Sequence, residues 1–210
     1  MKFTVSEPAA GIIRTLWYSI MDRVDGLITR FLPADSEPAR RLPRNDVKAL
    51  STALDIFEAA VRRILFLMAV ELGPRRAETP LPDLPFCLEE CPPAPVIHAP
   101  APVVPAPPAE DPDWFLKPPP AGAVYTPPPS ADDLVSADGV LKRLRALEHF
   151  FNHSDVYLEA ARDRLCDARP LLRPGLPQAF RENALTVEQV ADFGQLHVVA
   201  VEAQAFLDTS

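Results

Sequence analysis

Glycine is scarce in this chain, and its scarcity excludes a class of function. The seven glycines stand singly at 11, 26, 73, 122, 139, 175 and 194. No glycine-rich loop is available to wrap a phosphate or a dinucleotide, so nucleotide-binding folds are not expected. Cysteine is nearly absent as well. Three thiols, an odd number without framework spacing, argue against a disulfide scaffold and for a reducing compartment. Long apolar runs are also missing. The uncharged stretch Ile64 to Val70 is bounded by Arg62, Arg63 and Glu71, far short of the ~20 residues a spanning helix needs. MKFTVSEPAAG at the start reaches an acid and a proline before any apolar run, so no secretory leader is expected. These readings together predict a soluble, cytoplasmic protein.

Positive charge is in deficit. The formal net charge is -8, distributed as +1 over 1–73 (10 basic, 9 acidic), -4 over 74–129 (3 and 7) and -5 over 130–210 (8 and 13). No part is basic enough to suggest nucleic acid as a partner. The motifs of catalysis are missing too: no serine elbow, no carboxylate pair that can be placed across a cleft and no phosphate loop. The chain is therefore not expected to be an enzyme, and no cofactor or metal is expected.

Proline is what the chain has in abundance. Of 26 prolines, 19 fall between Pro74 and Pro129, a composition that favours extended conformation and buries little. This divides the chain into a helical hairpin over 1–73, a long disordered proline-rich linker over 74–129 and a helical region over 130–210. The expected fold class is all-α. The N-terminal hairpin and the C-terminal helical group can combine as one four-helix bundle.

The strongest helix is Asn45 to Gly73. Val47, Leu50, Leu54, Phe57, Val61, Ile64, Met68 and Leu72 recur at steps of three and four and form one continuous stripe. Asn45 suits the N-cap, while Gly73 followed by Pro74 supplies a stop. From Ile64 onward, Leu65, Phe66, Leu67 and Val70 add apolar surface on other faces, which predicts burial on more than one side. One helix cannot offset its own ordering entropy by burying this surface alone. A partner element is required, in this chain or in another.

Residues 7–31 give a second amphipathic helix, with Pro8 in its first turn and Pro33 ending it. The connection 32–44 reads as an irregular loop that returns the chain antiparallel. Ser130 with Asp133 resembles a capping box opening the C-terminal block, and Thr186 with Gln189 another. The run 134–151 carries an apolar stripe with Gly139 a weak point, and 152–155 can break or continue it. A strand through Leu196 to Val201 is conceivable from its β-branched residues, but the flanks read helical.

Few residues suggest chemistry. His149 and His153 are four apart, a spacing that lets two imidazoles reach one metal. EHFFNHSD lacks the glutamate that directly follows the first histidine in the zinc-protease motif, so surface histidines are the expectation. Cys87, Cys91 and His98 lack a fourth ligand. Cys166 has no evident partner for a thiolate beyond Arg162 and Arg169. In EDPDWFLK, by contrast, Trp114, Phe115 and Leu116 are large apolar groups in an acidic, proline-rich surround, the pattern of a short docking peptide or, equally, of a segment that folds back over apolar surface on one of the helical blocks. Arg40, Arg41 and Arg44, and Arg62 with Arg63, form two small basic clusters, expected as solvated faces.

The function this predicts is non-catalytic. An adaptor binds a protein partner, or a second copy of itself, through the apolar residues Leu50, Leu54, Phe57, Val61, Ile64 and Met68 and through Trp114, Phe115 and Leu116. One alternative is a peripheral membrane protein that lays the 7–73 hairpin on a membrane surface with Trp17 and the basic clusters; Asp22 and Asp25 argue against it. Another is a helical bundle that binds a metal or a small molecule.

Overall fold

In a computed structural model the described residues are 3–32, 41–78, 81–90, 130–167, 171–173, 175–181 and 185–209, and they are mostly helical. Helix α1 spans Glu7–Phe31, with Pro8 in its first turn and Ala9, Leu16, Ile20 and Val24 buried along one face. This is the face that the apolar pairs of the sequence mark out. Helix α2 spans Arg44–Leu72 and ends as its sequence predicts. Gly73 adopts φ 88° and donates its N–H to the carbonyls of Ala69 (2.9 Å) and Val70 (3.2 Å). A residue with a β-carbon would be strained in that left-handed conformation.

The start of α2 differs from expectation. Asn45 does not cap it. Short strand β1, Arg41–Pro43, leads into the helix and pairs antiparallel with β2, Leu134–Ser136, with Leu42 opposite Val135. The free N–H groups of Arg44 and Asn45 are then taken by the backbone carbonyls of Asp133 (2.9 Å) and Ala131 (3.2 Å). Backbone from a distant segment does what a side-chain cap would do, and the capping side chain becomes unnecessary. The same pairing displaces the expected start of the C-terminal block. Residues 130–133 are turn and coil, and α3 begins only at Asp138.

Helix α3 covers Asp138–Asn152 and α4 covers Ser154–Arg164, with the break at His153. After a 3₁₀ turn at Gln178–Arg181, α5 runs over Val187–Asp208. Its capping box forms: Thr186 Oγ1 accepts from the Gln189 N–H at 3.3 Å, and Gln189 Oε1 accepts from the Thr186 N–H at 3.0 Å. No strand forms at 196–201.

Residues 1–90 and 131–210 form one compact unit, in which side chains from both ends of the chain share a core. Helix α2 packs against α5, α4 and α3. Helix α1 returns antiparallel to α2, with Arg30 reaching Asp46 at 3.7 Å, but it lies more against α3 and α5 than against α2. The expected hairpin is thus only part of the arrangement. Trp17, Phe86, Phe150, Phe151 and Tyr157, from four separate segments, join rings at centroid distances of 5.0–6.1 Å, pairs that each add roughly 0.5–1.5 kcal/mol to area burial.

Phe86 lies inside the stretch read as linker, yet it is buried and its N–H donates to the Tyr157 hydroxyl at 3.3 Å. The Arg75 N–H donates to Arg162 O in α4 (3.2 Å), and the Arg76 guanidinium donates to Asp167 just beyond its end (2.7 Å). The apolar spacing of Leu84, Phe86 and Leu88 supplies side chains that fill a gap beside α3 and α4, so this part of the stretch is laid over the core. Among the described residues no helix is long and apolar enough to cross a membrane.

Candidate functional site

Arg63 was expected on a solvated face with Arg62. It is instead fully enclosed, at 0% exposure, in the middle of α2. A guanidinium cannot be deprotonated in a protein, so its burial demands partners. Its Nη1 donates to the Ala59 carbonyl at 3.1 Å and to the Glu90 carboxylate. Its Nε donates to His197 Nδ1 at 3.3 Å, and its plane lies 5.5 Å from the Phe180 ring. Burial pulls the Arg63 pKa down while Glu90 pulls it up. Nη2 alone is left without a partner among the described residues.

The surrounding groups are positioned by backbone. Glu90 Oε2 accepts from the Arg173 N–H at 2.8 Å, and the Glu90 N–H donates to the Leu171 carbonyl at 3.3 Å. Segments 81–90 and 171–173 are thereby held together over α2. His197 comes from the middle of α5. Burial, followed by the positive charge of Arg63, lowers its pKa, with Glu90 opposing. Because Nδ1 accepts from Arg63, the imidazole is neutral and carries its proton on Nε2.

A cavity of about 310 Å³ opens beside this centre, with Arg63, Leu172, Arg173, His197, Val201 and Gln204 in its walls. No ion pair engages the Arg173 guanidinium among the described residues. On another face of α2, against α1, lies a groove of about 370 Å³. Ile13, Trp17, Ile64, Leu67 and Met68 form its apolar surface, with Arg14, Tyr18 and Glu71 also in its lining.

The residues singled out in the α2 stripe divide between these surroundings. Leu50, Leu54, Phe57, Val61 and Ile64 are buried in the chain's own core, so helices of the same chain already cover them. Met68 is 38% exposed and lines the α1–α2 groove. Trp114, Phe115 and Leu116 lie outside the described residues, as do Cys91 and His98. Cys87 and Cys166 are free and exposed.

The rings of His149 and His153 stack at 4.3 Å. His149 Nδ1 is 2.9 Å from the Tyr157 hydroxyl and His153 Nδ1 is 3.0 Å from the His149 carbonyl. Stacked rings with one nitrogen each already engaged do not converge on a point between them. Among the described residues no group of three or more His, Cys, Asp or Glu is placed to hold a metal.

The centre at Arg63, Glu90, Arg173 and His197 went unrecognised in the sequence. A lone histidine inside the apolar run LHVVAV was the available signal. No protein-family model, curated protein or solved structure matches the chain.

Proposed function

We propose that this chain is a non-catalytic interaction protein that receives an amphipathic helix of a partner protein in the groove between α1 and α2. The observation that carries the reading is the groove itself: an apolar floor with two unpaired charges of opposite sign. Met68, Tyr18 (59% exposed) and Leu72 (53% exposed) remain open to solvent on this side, while most of the α2 stripe is covered. Arg14 and Glu71 have no ion pair among the described residues.

The lining residues favour a helix as the occupant. Those on the helices fall at 10, 13, 14, 17 and 18 on α1 and at 64, 67, 68 and 71 on α2, two helical rows of about two turns, or about 11 Å each. A third helix with apolar groups at steps of three and four fits between such rows. An acid on that helix would face Arg14 and a base would face Glu71. A cytoplasmic location belongs to this reading, supported by the exposed free thiols of Cys87 and Cys166. So does a docking peptide at Trp114, Phe115 and Leu116, tested by replacing Trp114 and Phe115 with alanine and scoring partner capture against helicity.

The groove is tested by placing a photo-crosslinking phenylalanine analogue at Met68, at Tyr18 or, as a control, at Val187 on α5. The expected result is one peptide captured from both groove positions and not from Val187, with apolar residues at i, i+3, i+4 and i+7. A peptide from a second copy of this chain would replace the partner with self-association. Equal capture at Val187, or none at Met68, would remove the reading.

A further inference from the structure

The cavity beside Arg63 carries a separate inference. We propose that it binds a small monocarboxylate with an apolar body, the carboxylate bridging Arg63, His197 and Arg173. Three donors support this. Arg63 Nη2 is buried without an acceptor, a costly state that a native protein resolves with water, an ion or a ligand. His197 Nε2, which holds the proton when Nδ1 accepts from Arg63, has no acceptor among the described residues. The Arg173 guanidinium is half-buried in the same wall. A carboxylate has two oxygens that accept from such a set, and planar guanidinium forks match its geometry.

Charge decides between anions. Arg63 and Arg173 against Glu90 leave a single net positive charge at the inner end. Asp208 stands exposed, and its Oδ1 accepts from Gln204 Nε2 at 3.0 Å. One negative charge balances the inner end, whereas a phosphate dianion would leave an excess. The remaining wall is apolar, built from Leu172, Ala200, Val201 and Ala205, and it suits an alkyl or aryl body. At the ~30 Å³ that a water occupies in the liquid, about 310 Å³ holds roughly ten non-hydrogen atoms. Arg63 is 0% exposed, toward the cavity as well as toward bulk water, so the carboxylate meets Nη2 only as the half-buried Gln204 side chain turns outward, with Arg173 staying in the wall to complete the bridge.

Titration calorimetry on the full chain with sodium octanoate, which has the right size and charge, tests the site. 1-Octanol and sodium phosphate serve as the uncharged and the body-less probes. Octanoate is expected to bind with a Kd of about a millimolar or tighter. Arg173→Gln, a change at a half-buried position, should weaken octanoate by about ten- to a hundredfold, the effect of losing one charge-assisted hydrogen bond. Arg63→Met should abolish binding, with circular dichroism to verify its fold. Octanol should bind at least about tenfold more weakly than octanoate. The proposal is overturned if octanoate gives no heat at about ten times that concentration, if octanol binds equally well, or if Arg173→Gln leaves octanoate unchanged. Phosphate binding as tightly as octanoate would overturn it too, leaving an anion site with no place for an apolar body.

Discussion

Arg63 and Ile64 are neighbours in the sequence, yet they line different cavities on adjoining faces of α2. On the Ile64 side the apolar groups lie inside, and the charges in the lining, Arg14 and Glu71, have no ion pair among the described residues. On the Arg63 side the arrangement is reversed: a cation is enclosed, its ion pair and histidine lie within the protein, and its second N–H₂ group has no partner among the described residues. One residue step turns a helix by ~100°, so a single turn can serve two unlike environments. A buried charge constrains its surroundings through hydrogen bonds, whereas a buried isoleucine constrains them only through volume.

The sharpest way to break this contrast is Glu90→Ala. It removes the carboxylate from Arg63 and the acceptor from the Arg173 N–H, and urea unfolding should show a loss of about 4 kcal/mol, the cost of a buried charge left unpaired. Arg63→Met combined with Glu90→Gln should recover most of that loss, because a volume-matched apolar group requires no partner. If Glu90→Ala costs less than about 1 kcal/mol, Arg63 is better solvated than its enclosure implies. On the other side, Ile64→Ala should cost about 3 kcal/mol through lost burial and the void it leaves, with no dependence on Glu90. A double-mutant cycle that finds strong coupling between Ile64 and Glu90 would mean that the two sides are not independent.

Acid separates the sides more gently. The folded-state pKa of His197 is depressed by burial and by Arg63. Above its ordinary value of 6.5 the imidazole is neutral in both the folded and the unfolded chain, and the arrangement is fully stable. As pH falls below that value the unfolded chain takes up the proton first, so stability is lost on acidification. His197→Gln keeps an acceptor for Arg63 Nε and should shrink the drop in Tm between about pH 7.5 and pH 5.5, whereas Ile64→Ala should leave that drop as in the parent. The smallest effect on stability is expected at Met68. Met68→Ser should change unfolding by less than about 0.5 kcal/mol while lowering crosslinked capture in the α1–α2 groove.

Local pattern made α1, α2 and α5 legible. The apolar steps of 7–31 and 45–73, Gly73 before Pro74 and the Thr186 and Gln189 box appear where their spacing places them. Burial of Leu65, Phe66, Leu67 and Val70 on several sides followed from apolar residues all round the helix. The strands at 41–43 and 134–136 were not legible, because three-residue strands have no periodicity and their hydrogen bonds join segments some ninety residues apart. Phe86, with Leu84 and Leu88, was legible as an apolar anchor in a proline-rich stretch, but spacing alone could not tell that it packs into this chain's own core against Phe150 and Tyr157. Helix α4 buries only Tyr157, Ala160 and Ala161, too sparse a set for its inner face to be read from spacing. Arg63 was the largest surprise. An Arg-Arg pair reads as solvent-facing, and only the positions of Glu90 and His197 make an enclosed arginine affordable.

By itself the sequence determined where helices form and which of their faces are apolar, since both depend on periodicity and capping within a few residues. Its composition also shows glycines that stand singly and no strongly basic segment. Only the tertiary structure decided what covers each face: helices of the same chain over Leu54 and Val61, an open groove at Met68, and an enclosed cation beside a cavity at Arg63. The physical reason is range. Helix formation is set by neighbours three and four residues away, whereas the fate of a buried charge is set by Glu90 and His197, 27 and 134 residues distant in the chain.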